Sequence, residues 1–170
     1  MTVLLGGFKL AMTFVAVSFV DTVGRRPLLL GGVSAMVVAL VALGALSAAA
    51  AGEGAVDPTL AWGSVLALLM YVGAYQVSFG PVAWLIVGEV FPAEVRSAAV
   101  GCATLTNFGA NFGVSLLLPA LQAELGPAGT YWLFAALGVV AIGSIYTTLP
   151  ETKGKTLEEI EAEFAERRLR

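Results

Sequence analysis

Four polar residues, Thr104, Asn107, Asn111 and Ser115, recur at i, i+3, i+7 and i+11 inside a long apolar run. On a helix that spacing gathers them into one stripe, with Gly109 and Gly113 on the opposite side as a small-xxx-small pair suited to close packing. Amides offer donors and acceptors together, which is what a neutral polyol such as a sugar requires. The alternative is that the asparagines bond to neighbouring helices. Four polar residues in register exceed the need of one structural bond and favour a cavity lining. A second constellation lies in the preceding apolar run, where Tyr75 and Gln76 come just before Gly80-Pro81 and Trp84 just after. Pro81 cannot donate to the carbonyl of Val77, so the helix is expected to break there. A broken helix at membrane depth is tolerated where it lines a cavity. Aromatic rings beside such a break can stack on the CH faces of a sugar while hydroxyls bond at the edge. A lone aromatic in a span is usually ordinary packing, and only the position of Trp84 beside the break singles it out.

Charge is confined to short clusters. Asp21, Arg25 and Arg26 follow the first apolar run, Glu89, Glu94 and Arg96 follow the broken one, and Glu151 and Lys153 follow the last. Lys9 alone lies well inside a run, where it either faces an aqueous cavity or snorkels to the interface; the cavity is the favoured reading. The chain has no histidine and a single cysteine, Cys102. A disulfide framework, a Cys/His metal site and Ser-His or Cys-His nucleophilic pairs are thereby excluded. No metal or cofactor is expected, no enzyme activity, and no nucleic-acid partner.

The elements that must carry these residues are membrane helices. Of the 170 residues 58% are hydrophobic and 12% charged, about half the charge of a soluble domain, which carries roughly 25%. Five apolar runs, 2–20, 27–51, 60–88, 97–121 and 129–149, are each long enough to cross a bilayer at roughly 20 residues per crossing. The expected fold is all-α, a five-span bundle over 1–154 and a tail over 155–170. In that tail Thr156 and Glu159 read as a capping box, and Leu157, Ile160 and Phe164 share one face. An amphipathic cytoplasmic helix is expected there, with a solvated charged tail as the alternative. Eight basic residues fall on one side of the membrane (Arg25, Arg26, Arg96, Lys153, Lys155, Arg167, Arg168 and Arg170) and none on the other. That asymmetry places the C-terminus in the cytoplasm and, with an odd number of spans, the N-terminus on the opposite face. The first run reads as a span rather than a signal peptide.

Three separated motifs resemble the C-terminal half of a sugar porter of the major facilitator superfamily. Asp21-Thr22-Val23-Gly24-Arg25-Arg26-Pro27-Leu28 resembles the loop between that family's eighth and ninth helices. Gly80-Pro81-Val82-Ala83-Trp84, with Glu89-Val90-Phe91-Pro92 and Arg96, resembles its tenth helix and the loop after it. Pro150-Glu151-Thr152-Lys153-Gly154 resembles the motif after the twelfth. The wording is most similar to plant and algal D-xylose–proton symporter-like members. The resemblance implies helices 8–12 of a twelve-helix carrier working by alternating access on a monosaccharide, with protons as the coupling ion. It implies that Tyr75, Gln76, Trp84, Asn107, Asn111 and Lys9 line the sugar site or its gates; Phe108 stands where many members have tryptophan, and Lys9 where several have an asparagine. It implies that Asp21, Arg25, Arg26, Glu89, Arg96 and Glu151 form a cytoplasmic ion-pair gate, although the arginines also set topology. The seventh helix and the N-terminal half, with its proton-carrying carboxylate, lie outside the matched motifs. The chain is therefore expected to be a fragment, inactive without that half, in a plasma, vacuolar or plastid membrane. A non-transporting regulator or scaffold that pairs with another chain is the alternative, and a passive channel fits the broken helix less well.

Overall fold

The computed structural model describes residues 2–52, 57–149, 151, 153–154 and 159. All regular structure among them is α-helical: α1 Thr2–Val23, α2 Arg25–Ala51, α3 Pro58–Val77, α4 Phe79–Val90 and α5 Arg96–Thr148. The tail helix expected over 155–170 lies outside the described residues, apart from Glu159. Three stretches, Arg25–Ala51, Pro58–Val90 and Arg96–Thr148, are long and apolar enough to cross a membrane, and Gly6–Val20 is a shorter apolar helix.

The joints explain the order of elements. Gly24 is the single residue between α1 and α2 and adopts φ 100°, a conformation open to glycine and strained for other residues. α3 starts at an N-cap, Asp57, whose side chain accepts from Thr59 N at 2.8 Å, with Pro58 in the first turn. That backbone bond, aided by the Thr59 side chain, holds the Asp57 carboxyl below the usual carboxylate range. α5 would be far longer than a bilayer is thick, but Gly126, at φ 68° and ψ 173°, divides it. The chain reverses there, since Val114 and Leu118 from before Gly126 line the same cavity as Thr130 and Phe134 from after it. Pro127 follows directly, so the second segment resumes two residues before the expected Gly129.

The break in the third run is displaced from the expected Gly80-Pro81. Ser78 is the irregular residue, at φ −115° and ψ −85°, and it is fully buried. Gly80 and Pro81 instead occupy the first turn of α4. The reason is proline chemistry: its missing N–H is harmless in a first turn, so the break must precede it. Ser78 Oγ donates to the carbonyl of Ala74 at 2.6 Å and so satisfies its own hydroxyl. Gly32 of α2 makes room for this kink, because a Cβ at that position would overlap Ser78 Oγ. Gly44 does the same for Trp132 farther along α2.

A buried apolar cluster of Val20, Leu29, Val82 and Ile86, flanked by Leu28, Val90, Ile145 and Leu149, sits at the end where the charged motifs gather. Away from it, large side chains such as Leu105, Phe108, Phe112 and Trp62 are exposed. In lipid such residues need no burial, because hydrocarbon is as apolar as they are.

Candidate functional site

A cleft of about 360 Å³ opens between the kinked α3–α4 stretch and the first segment of α5. Tyr75 reaches it from the last turn of α3, Phe79 and Trp84 from α4, and Thr106 and Asn107 from α5. The kink makes this possible by bringing Tyr75 and Trp84 to the same opening. The Tyr75 and Phe79 rings stand 6.2 Å apart, inclined at 37°. Two aromatic walls facing one amide form a surface with an apolar floor and a polar edge, the pattern of small-molecule sites. Thr106 Oγ1 is turned back onto the carbonyl of Cys102 at 2.9 Å, so Asn107 supplies the outward hydrogen-bonding groups.

The remaining residues expected at the site stand elsewhere. Asn111 Nδ2 donates to the Asn107 carbonyl at 2.8 Å, along its own helix. Gln76 lies one residue round α3 from Tyr75 and donates through Nε2 to Thr13 Oγ1 of α1 at 3.1 Å. Thr13 in turn donates to the carbonyl of Lys9 at 2.9 Å. Lys9 is exposed and does not line the cleft. The structure thus joins Tyr75, Trp84 and Asn107 directly and sets Gln76, Thr13 and Lys9 beside them as a second polar group. Phe79 and Thr106 were absent from the expected set. The Phe79 position could have been found one helical turn after Tyr75; Thr106 lies about 100° round the helix from Asn107, on the side of Gly109 and Gly113, where the amide stripe gives no signal.

At the charged end, Arg25 Nη2 pairs with Glu89 Oε1 at 3.2 Å, with the two side chains 17% and 23% exposed. Among the described residues Glu151 bonds to backbone rather than to a guanidinium. Its carboxylate accepts from the backbone N–H groups of Arg25 at 3.0 Å and Arg26 at 3.1 Å. The N-terminus of α2, whose N-cap Gly24 offers no side chain, is therefore capped from 126 residues away. A carboxylate is the natural occupant, because the first N–H groups are unsatisfied and the helix dipole favours negative charge. A Cβ on Gly24 would come within 2.9 Å of Glu151 Oε2, so the cap needs glycine on grounds of space as well as φ. Arg26 Nη2 donates to the Tyr146 carbonyl at 2.7 Å, and its guanidinium lies 5.2 Å from the Tyr146 ring centre. Lys153 Nζ donates to the Thr22 carbonyl at the end of α1. Arg96 Nε donates to the Phe91 carbonyl of its own loop at 3.1 Å. The side chain of Asp21 lies outside the described residues. Among the described residues no group of three His, Cys, Asp or Glu could hold a metal ion.

The model of the family described as Sugar (and other) transporter matches residues 1–164. The chain belongs to that family. It is 44% identical over 163 residues to "D-xylose-proton symporter-like 3, chloroplastic" of Arabidopsis thaliana, covering 96% of this chain and 28% of that protein. It is 47% identical over 161 residues to "D-xylose-proton symporter-like 1" of the same plant, covering 95% and 31%. The solved major facilitator superfamily proton:xylose symporter XylE, bound to 6-bromo-6-deoxy-D-glucose, superposes with a TM-score of 0.82 at 34% identity, covering 96% of this chain and 34% of that one. The chain spans roughly a third of the length of the relatives it matches. Family membership and the three long apolar stretches make it an integral membrane protein.

Proposed function

We propose that this chain supplies the last five membrane helices of a sugar carrier, C-terminus in the cytoplasm, which moves a monosaccharide by proton-coupled symport through alternating access. The observation that carries this is the cleft in which Tyr75 and Trp84 face Asn107 across a kinked helix. Its supports are the family of the chain and the relatives named for D-xylose–proton symport. In this reading Trp84 and Tyr75 stack on the ring and Asn107 bonds its hydroxyls, with Gln76 beside Tyr75 and Asn111 one helical turn from Asn107 as the next polar groups. The remaining helices of the carrier close the other side, and the halves rock about the bound sugar. Arg25, Arg26, Glu89 and Glu151 hold the cytoplasmic ends of this half together, with Asp21 and Arg96 completing the gate, and their contacts bias the conformational equilibrium.

Sugar uptake by the complete carrier in proteoliposomes tests this. Trp84→Ala removes one stacking face and its buried area, about 1–3 kcal/mol or roughly 5- to 150-fold in apparent affinity. Asn107→Ala removes one or two hydrogen bonds of about 0.5–1.5 kcal/mol each. Uptake at parental affinity in both variants would overturn the site, and absence of any saccharide uptake in the parent would favour a non-transporting membrane partner.

A further inference from the structure

We propose that Asn111 is a positioning residue of the sugar site: it fixes the Asn107 amide with its NH2 end toward the cleft, so that the sugar hydroxyl met there accepts a hydrogen bond. This rests on the carrier reading above and states which hydrogen-bonding role the substrate fills.

An asparagine side chain can present either a donor or an acceptor, and a half-turn of its amide exchanges the two. The surroundings of Asn107 remove that freedom in two steps. The backbone carbonyl of Asn107 can only accept, so the Asn111 atom 2.8 Å from it is the donor Nδ2. That same Nδ2 stands 3.5 Å from Oδ1 of Asn107. The contact is long for a hydrogen bond and adds little as one. It still decides the orientation, because turning the Asn107 amide over would set two NH2 groups against each other. With Oδ1 held toward Asn111, Nδ2 of Asn107 stands on the other side of the planar amide and has no partner among the described residues. Asn107 lines the cleft with Tyr75 and Trp84, whereas Asn111 does not. The neighbouring Thr106 hydroxyl spends its proton on the Cys102 carbonyl. Asn107 therefore offers donors to the cleft, and a hydroxyl oxygen that comes to it serves as acceptor. A bond back to the carbonyl four residues earlier satisfies an asparagine on any helix. Here it has a further consequence, because that carbonyl belongs to the residue lining the cleft.

Competition against D-xylose uptake by the complete carrier in proteoliposomes tests this, with deoxy, deoxyfluoro and aminodeoxy analogues at each non-anomeric ring hydroxyl. Fluorine accepts and cannot donate, hydrogen does neither, and an ammonium donates and cannot accept. At one hydroxyl the deoxyfluoro analogue should compete roughly 2- to 10-fold better than the deoxy analogue, the worth of one net hydrogen bond, with the aminodeoxy analogue the weakest. Asn107→Ala should level the deoxyfluoro and deoxy analogues at that hydroxyl. Asn111→Leu frees the Asn107 amide to turn and should raise the aminodeoxy analogue relative to the deoxy one by a similar factor, a gain that a merely structural role would not produce. Asn111→Ala, a second variant, should do the same. A parent with no such contrast at any hydroxyl, or a contrast that survives Asn107→Ala, overturns the proposal and leaves the carrier reading intact. An aminodeoxy analogue that stays equally poor in both Asn111 variants also overturns it. So does loss of all uptake in both, since Asn111 then does more than orient its neighbour. A parent that moves no saccharide overturns both readings.

Discussion

Removing the Glu151 carboxylate should release the N-terminus of α2. Two backbone N–H groups, those of Arg25 and Arg26, point at its oxygens at 3.0 and 3.1 Å. Loss of an ordinary N-cap costs about 0.5–2 kcal/mol, and a hydrogen bond to a charged group contributes about 1.5–3 kcal/mol. Two such bonds on a half-exposed carboxylate, partly replaced by water after truncation, give about 2 kcal/mol for Glu151→Ala, or roughly 30-fold in the opening equilibrium. Amide hydrogen exchange reads this directly, because both amides are held by the one side chain. Exchange of the peptide over 24–30 should accelerate roughly 30-fold in Glu151→Ala. Glu151→Gln should give a smaller acceleration, since its amide oxygen can still accept while its NH2 group opposes the second donor. Amides in the middle of α2 should be unchanged, and so should the whole peptide in Glu94→Ala, a substitution in the exposed 91–95 loop. Acceleration below about threefold in Glu151→Ala would show that water or another acceptor serves these amides equally well, and the remote cap would be refuted.

Two other consequences follow from the joints. Gly32→Ala places a methyl group on Ser78 Oγ and should destabilise the protein by about 1–3 kcal/mol in mixed-micelle unfolding; Ser78→Gly in the same chain should recover most of the loss, and additive losses would sink the contact. Asp57 titrates below its ordinary value because Thr59 N–H bonds the ionised form. Its contribution to stability is therefore complete above about pH 4, the ordinary range of the unfolded side chain, and is lost as pH falls through the lower folded value. Asp57→Ala should flatten that acid limb of the unfolding profile, and an unchanged limb would place the titration elsewhere.

What the sequence shows and what it hides divides along the reach of each contact. The Asp57-Pro58 pair and Gly126-Pro127 announce a helix start and a reversal by local chemistry, and the structure turns the chain at both. The break was legible through Pro81 but not its address, because a proline sets only the limit beyond which a kink must fall, and Gly32 on another helix decides where it fits. Asn107 was legible through its amide stripe. Asn111 shares that stripe, yet its amide bonds back to Asn107, an option that i, i+4 spacing always offers and sequence cannot arbitrate. The bond of Glu151 to backbone rather than to guanidinium was hidden for a similar reason: backbone donors exist at every helix start, so no residue type advertises them.

The two ends of this bundle are built for different tasks. At the charged end α1, α2, α4 and the end of α5 are tied by Lys153 to Thr22, Glu151 to Arg25 and Arg26, and Arg25 to Glu89, directly over the apolar cluster of Val20, Leu29, Val82 and Ile86. The first segment of α5 runs from the 91–95 loop to the Gly126 reversal, and most of its side chains are exposed. The cleft lies between the two, with Tyr75 before the Ser78 kink and Trp84 after it. The Ser78 dihedrals therefore set the separation of the aromatic walls. The hydroxyl of Ser78 keeps its partner in its own preceding turn, so bending there need not orphan a buried polar group. The kink couples the shape of the cleft to the angle between α3 and α4, and in the carrier proposed above that coupling links substrate to gate.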